Sequence, residues 1–416
     1  MMRVLFVSLS EKSHVYFMTP LAWALSAAGH DVRVASHPAA VETITRAGLT
    51  AVPVGADHGV HQDMSAYRES QDYATANWSR CERDQVDWPE LKERFALSVP
   101  YAFAPYNDSM IDDLAAFAQG WRPDLVIRDP LAYAGAIAAR ISGAAHARLM
   151  WCSDVWGRSR QTYLELMREQ PESERVDPLA DWLAARSEPF GFSCDEEMLH
   201  GGATISTLPP SLSIPSASRE LPMRYIPYNG RAVVWDWLRE PPERPRVCVS
   251  LGASNTEAYG GDYVSVPKIL DALADEDVEV VAALLPAQVE QLGALPDNAR
   301  AVHSVALSTL LPSCSAVIHH GGYGTFATAM VAGVPQMMLS TLIADHEQRG
   351  RALERAGAGV YLRHGDATVD RVHDGIRRFI GEPQAAQAAR RLRAESRAMP
   401  SPYDLVADLE RLAEVR

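Results

Sequence analysis

The chain has 416 residues, 39 Lys or Arg against 53 Asp or Glu, and a formal net charge of −14. That acidic balance argues against nucleic acid as a partner, because nucleic-acid phosphates need a basic face. The length exceeds one typical core and points to two domains of about 200 residues, and no apolar run reaches the length of a membrane span.

The chain opens Met-Met-Arg-Val-Leu-Phe-Val-Ser, which reads as a strand rather than a secretory signal and fits a cytoplasmic protein. Residues 3–8 predict a strand, 17–28 a helix closed by Gly29, 31–35 a second strand, 39–47 a helix and 49–54 a short strand. This βαβαβ rhythm implies a parallel sheet with right-handed crossovers. His14 follows the first strand, where an imidazole can take a proton from an attacking hydroxyl. A solvent-facing or helix-capping histidine is the alternative. The turn lacks G-x-G-x-x-G, which disfavours a dehydrogenase.

Residues 55–100 lose the rhythm and become polar and Trp-containing, as a long functional excursion would. The pattern resumes with strands at 124–128 and 146–151 around a helix at 131–141. A second charged excursion at 155–205 has helices at 158–168 and 179–186. His61 is a candidate for touching a substrate, and Trp78 and Trp151, with Trp88, Tyr101 and Trp156, can line an apolar site, though each aromatic ring can equally be core.

Prolines crowd residues 209–245, and the domain boundary belongs there. The expected organisation is an N-terminal domain at 1–215, a linker at 216–240, a C-terminal domain at 241–400, and a final helix at 401–416 that packs back on the first domain. The second half repeats the alternation, with strands at 246–251, 278–284, 300–302, 316–319, 335–340 and 359–362. Ser250 and Ser254 sit in a Gly/Ser turn after its first strand, suited either to phosphate or to plain turn formation.

The most informative stretch is Val317-Ile-His-His320-Gly-Gly322-Tyr-Gly324-Thr325. An apolar strand breaks into a glycine turn that lets main-chain N–H groups approach a ligand, then a helix whose N-terminus favours anions. His320 and Thr325 add side-chain donors for phosphate oxygens. The next strand runs into Asp345 and His346 at the head of another helix. A carboxylate there suits sugar hydroxyls better than phosphate, and a helix N-cap role is its alternative. Five scattered cysteines offer neither a disulfide framework nor a zinc site.

Taken together, His14 after the first strand, the His-His-Gly-Gly-x-Gly-Thr turn, Gly333-Val-Pro-Gln336 and the cluster led by Asp345 resemble the GT-B, family 1 glycosyltransferases over essentially the whole chain. More narrowly, Ser10-x-Lys-Ser-His14, Pro20-Leu-Ala-Trp23-Ala, Trp121-Arg-Pro-Asp-Leu-Val-Ile, Asp177-Pro-Leu-Ala-Asp-Trp182, Asp195-Glu-Glu and Met223-Arg-Tyr-x-x-Tyr-Asn-Gly230 look like the antibiotic deoxysugar transferases, of which the erythromycin desosaminyltransferase is the type. The resemblance implies two doubly wound Rossmann-like domains facing across a cleft. It also implies inverting, metal-independent transfer of a deoxysugar, often an amino sugar, from a TDP-sugar to a polyketide aglycone, and no cofactor. Several members of the group need a P450-like activator protein, which enters here as an expected partner, and a homo-oligomer is compatible with the sequence.

By that resemblance His14 deprotonates the acceptor, and His320, Gly322, Gly324 and Thr325 hold the departing diphosphate. Asp345 contacts the sugar together with His346, which stands where the family usually has Gln. The family's aromatic residue for the nucleobase is missing from Val302-His-Ser-Val305, so backbone contacts from Val305 are expected instead. Asp108, Asp112 and Asp129 are candidates for the acidic partner of His14. Two rivals stand beside this reading: a sugar-nucleotide 2-epimerase and a non-catalytic GT-B helper protein.

Overall fold

The computed structural model describes residues 1–60, 77–216, 218–252, 265–290, 292–303 and 305–415. The chain divides into two compact units. The first comprises Met1–Thr207, Ile214–Met223 and Pro400–Arg416, and the second Leu208–Ser213 and Arg224–Met399.

The first unit is built on seven parallel strands, β1 (Arg3–Val7), β2 (Asp31–Ser36), β3 (Thr50–Pro53), β4 (Leu125–Arg128), β5 (Ala145–Met150), β6 (Ala203–Ser206) and β7 (Glu220–Pro222), in the order β3-β2-β1-β4-β5-β6-β7. The apolar side chains of β1, β4, β5 and β6 are buried on both faces, as expected of a parallel sheet covered by crossover helices. After β3 the chain makes a long excursion and returns on the other side of β1, so β1 and β4 are neighbours, with Val7 opposite Arg128. Order reversal of this kind opens a crevice at the carboxyl ends of the two strands, the usual place for ligands in α/β sheets.

The second unit repeats the design with six parallel strands, β8 (Arg246–Ser250), β9 (Glu279–Ala283), β10 (Ala299–Val302), β11 (Ala316–His319), β12 (Gln336–Ser340) and β13 (Gly359–Arg363), in the order β10-β9-β8-β11-β12-β13. Its reversal falls between β8 and β11, where Ser250 pairs with His319. Val247, Val249, Val280, Ile318, Met337 and Leu339 form one core face of this sheet, closed by Ile376 and Phe379 of the helix Val369–Gly381.

Two expectations change. The stretch read as polar excursion contains the helix Trp88–Ser98, and a further helix, Ile111–Trp121, follows before β4. Asp87 caps the first by accepting from the Glu90 amide, and Trp88, Leu91 and Phe95 form its buried stripe. The residues read as excursion end and linker hold β6 and β7, which extend the first sheet. β7 is three residues long and sits at the sheet edge, where Pro222 costs no ladder bond. The helix Val406–Glu414 belongs to the first unit, with Glu410 3.3 Å from His30. Among the described residues no helix is long and apolar enough to cross a membrane.

Candidate active site

In the first unit, His14 and Asp129 meet at the β1/β4 reversal. His14 lies in the first turn of the helix Lys12–Ala27, which follows β1, and Asp129 directly follows β4. Nδ1 of His14 is 2.7 Å from Oδ2 of Asp129. The carboxylate is fully buried and also accepts from Trp151 Nε1 at 3.0 Å and from the Leu131 amide at 2.9 Å. These bonds orient it, so His14 donates its Nδ1–H inward and Nε2 is the nitrogen left to meet a ligand. The imidazole is 16% exposed, and Trp151 flanks it with ring centroids 4.9 Å apart. Burial alone would depress the His14 pKa, but the charge and hydrogen bond of Asp129 outweigh it and raise the value above 6.5. A histidine held this way is a stronger base than a free one, with one tautomer fixed.

Of the other aspartates considered for this role, Asp108 pairs with Arg186 and accepts from Trp182, and Asp112 is exposed. Strand order carries the signal that singles out Asp129: it is the aspartate that ends the strand adjacent to β1.

The expected acceptor residues are distributed unevenly. Trp151 is half-buried beside His14, whereas Trp78 is buried in an aromatic cluster with Phe95, Phe103 and Trp156. Trp156 joins the two through Trp151, at 5.3 Å. Trp88 is also buried and Tyr101 is exposed. His61 lies outside the described residues.

In the second unit the turn after β11 packs against the turn after β8. A Cβ on Gly252 or on Gly322 would fall 2.3 Å or 2.4 Å from atoms of the His320 ring, so the imidazole occupies the space both glycines leave. Gly252 also has φ +73 and Gly321 φ +94, conformations that disfavour any side chain. Ser250 is buried at the end of β8, and Ser254 lies outside the described residues. The helix Tyr323–Ala332 starts from Gly322 without a side-chain cap, which leaves the first-turn N–H groups of Gly324 and Thr325 directed past the turn. Gly333 ends that helix at φ +74. Val305 is half-buried and packs on the cluster of Cys248, Leu310 and Val317.

His319, which precedes His320, is structural. Its Nε2 faces Oε1 of Gln336 at 3.0 Å, and its Nδ1 accepts from the Gly321 amide at 3.1 Å. The two residues expected at the sugar are both committed to protein groups. Nδ1 of His346 is 2.6 Å from Ser340 Oγ. Asp345, with no exposed side-chain surface, accepts from Nε and Nη2 of Arg349, itself fully buried. A carboxylate four residues before an arginine on one helix pairs with it readily. In this structure the Asp345 carboxylate is therefore paired with Arg349.

Burial, with neighbouring positive or histidine groups, lowers the pKa of His37 and of His320 to about 4, that of His319 to about 3, and that of His346 well below 6.5. All four are neutral at pH 7, so His320 offers a phosphate a neutral donor. The unfolded chain binds protons at these positions more readily than the native state between pH 6.5 and 4. Their neutral burial therefore stabilises the fold above 6.5, and this contribution is lost as pH falls toward 4. His14 has the opposite sign, but four groups oppose one. The urea midpoint should accordingly fall on going from pH 7 to pH 5; a constant or rising midpoint would contradict these assignments.

Comparison with known proteins follows the same lines. Residues 23–252 match the N-terminal domain, and residues 267–412 the C-terminal domain, of the erythromycin biosynthesis protein CIII-like family. The chain is 46% identical to a 10-deoxymethynolide desosaminyltransferase of Streptomyces venezuelae, over 99% of this chain and 97% of that protein. It is 43% identical to an aclacinomycin-T 2-deoxy-L-fucose transferase of Streptomyces galilaeus, over 99% and 96%. Among solved structures, the glycosyltransferase VinC in complex with dTDP is similar over 100% of both chains, with a TM-score of 0.89 and 41% identity. The fold is GT-B, and the chain belongs to the erythromycin biosynthesis protein CIII-like family of glycosyltransferases.

Proposed function

We propose that the protein transfers a deoxysugar, specifically an amino-deoxysugar, from a TDP-sugar to a polyketide aglycone, with inversion and without a metal. The observation that carries the chemistry is the His14–Asp129 pair, with Nε2 of His14 left as base. In the proposed step Nε2 takes the acceptor hydroxyl proton while the oxygen attacks the anomeric carbon. The bond from that carbon to the diphosphate oxygen breaks on the opposite face, and TDP leaves with the electron pair. Negative charge grows on the leaving group, where His320 and the amides of Gly322, Gly324 and Thr325 supply fixed donors. Val305 and Ser250 belong to the nucleotide side of this arrangement and Trp151 to the acceptor side.

The relatives named as a 10-deoxymethynolide desosaminyltransferase and an aclacinomycin-T 2-deoxy-L-fucose transferase support the substrate class, and VinC with dTDP supports the nucleotide. A cytoplasmic setting and a P450-like activator complete the proposal. A panel of TDP-amino-deoxysugars and polyketide aglycones, run with and without such a partner, tests it. Glycosylated aglycone, formed faster with the partner, is expected. Epimerised sugar nucleotide in the absence of acceptor would instead identify a 2-epimerase.

A further inference from the structure

We infer that Arg349 is a positioning residue for the phosphate turn and that Asp345 serves as its counter-ion. The inference rests on the reading of the 320–325 turn as the diphosphate site. Both polar backbone groups of Gly321 are held from beneath by buried side chains. Its N–H donates to His319 Nδ1, and its carbonyl accepts from Arg349 Nη2 at 3.0 Å.

The peptide that follows is trans, and in a trans peptide C=O and N–H point in opposite directions. Drawing the Gly321 carbonyl inward to Arg349 therefore turns the Gly322 N–H away from Arg349, at the N-cap of the helix whose first turn carries the amides of Gly324 and Thr325. The Gly322 amide has no hydrogen-bond partner among the described residues. Gly321 cannot adjust through a bulkier residue, because a Cβ there would lie 2.6 Å from Ser340 Oγ.

The guanidinium is fixed on its other sides as well. It stacks over Phe326 at 4.6 Å and Tyr323 at 5.3 Å, both on the helix that the turn opens. A fully buried cation needs a paired charge, and Asp345 supplies it, reached through Ala344 at φ +48, a strained angle for alanine. The planar fork of arginine spans Asp345 and the Gly321 carbonyl together, which a lysine ammonium on a flexible stem does not reproduce. Asp345 thus acts on the donor through Arg349 and the backbone.

The test is calorimetric binding of dTDP to the full chain, alongside thermal midpoints and the KM for TDP-sugar and for acceptor. The paired variant Asp345→Asn with Arg349→Met removes both charges, so no buried ion is stranded and the fold is kept. It should retain the wild-type midpoint, bind dTDP at least about tenfold more weakly, and raise the KM for TDP-sugar while the acceptor KM stays unchanged. Should that pair fail to fold, Arg349→Lys decides, with the same loss in smaller degree. Wild-type dTDP affinity in a folded paired variant, or in Arg349→Lys, overturns the inference. His320→Ala is the separate control: if wild type does not bind dTDP, or His320→Ala binds it equally well, the diphosphate reading itself fails and the inference falls with it.

Discussion

Replacing His14 with alanine is expected to lower kcat for sugar transfer by about 10²- to 10⁴-fold, the usual worth of a positioned general base. dTDP affinity should be unchanged, because the nucleotide donors lie in the other unit. Asp129→Asn is expected to give a smaller loss with a distinct signature. On the proposed mechanism the acid limb of the wild-type kcat profile is expected to report protonation of His14 in the complex. Asp129 raises that value above 6.5 against the opposing effect of burial. Without the carboxylate charge, burial prevails and the limb moves to lower pH. An unmoved limb would show that Asp129 does not act through His14. The same pairing affects stability. The folded state binds this proton more tightly than the unfolded chain, so the pair stabilises most below pH 6.5 and loses its contribution as pH rises through the folded value.

The second large effect is at the leaving group. His320→Ala should lower kcat by about 10²- to 10³-fold, comparable to removal of one donor from an oxyanion site, and should weaken dTDP binding. Because burial holds His320 near a pKa of about 4, the ring is a neutral donor across the physiological range. The loss should therefore be the same at pH 6 and pH 8, and kinetics at the two values check this. A loss concentrated at pH 6 would mean that the ring acts as a cation. Gly252 and Gly322 show why alanine at either neighbour would be a poor control: each would drive a Cβ into the ring and displace the donor rather than delete it.

Much of this arrangement is legible in the residues themselves. The run 317–325 announces its strand, turn and helix through apolar residues, glycines and a helix-compatible tail, and the structure forms β11 and the helix Tyr323–Ala332 there. His14 can be placed at a sheet edge because the first strand ends unambiguously at a polar turn. Asp129 is harder, because three aspartates compete and only the neighbouring of β1 and β4 selects one; adjacency of strands separated by more than a hundred residues is a tertiary fact. β6 and β7 escape because Ala-Thr-Ile-Ser and Glu-Leu-Pro are too short to show a period. Arg349 escapes for a different reason. In Glu347-Gln-Arg-Gly-Arg351 every charged residue reads as a solvated helix face, yet this one is fully buried beneath the turn. Its only local signal is the four-residue spacing from Asp345.

The proposed reaction is a direct displacement in which His14 activates the acceptor and the turn of the second unit releases TDP. Its stereochemistry is read from the anomeric configuration of the glycosylated aglycone, determined by NMR together with TDP release. Inversion relative to the TDP donor, with TDP released in step with product, is the predicted result. Retention of configuration would rule out direct displacement with His14 as base.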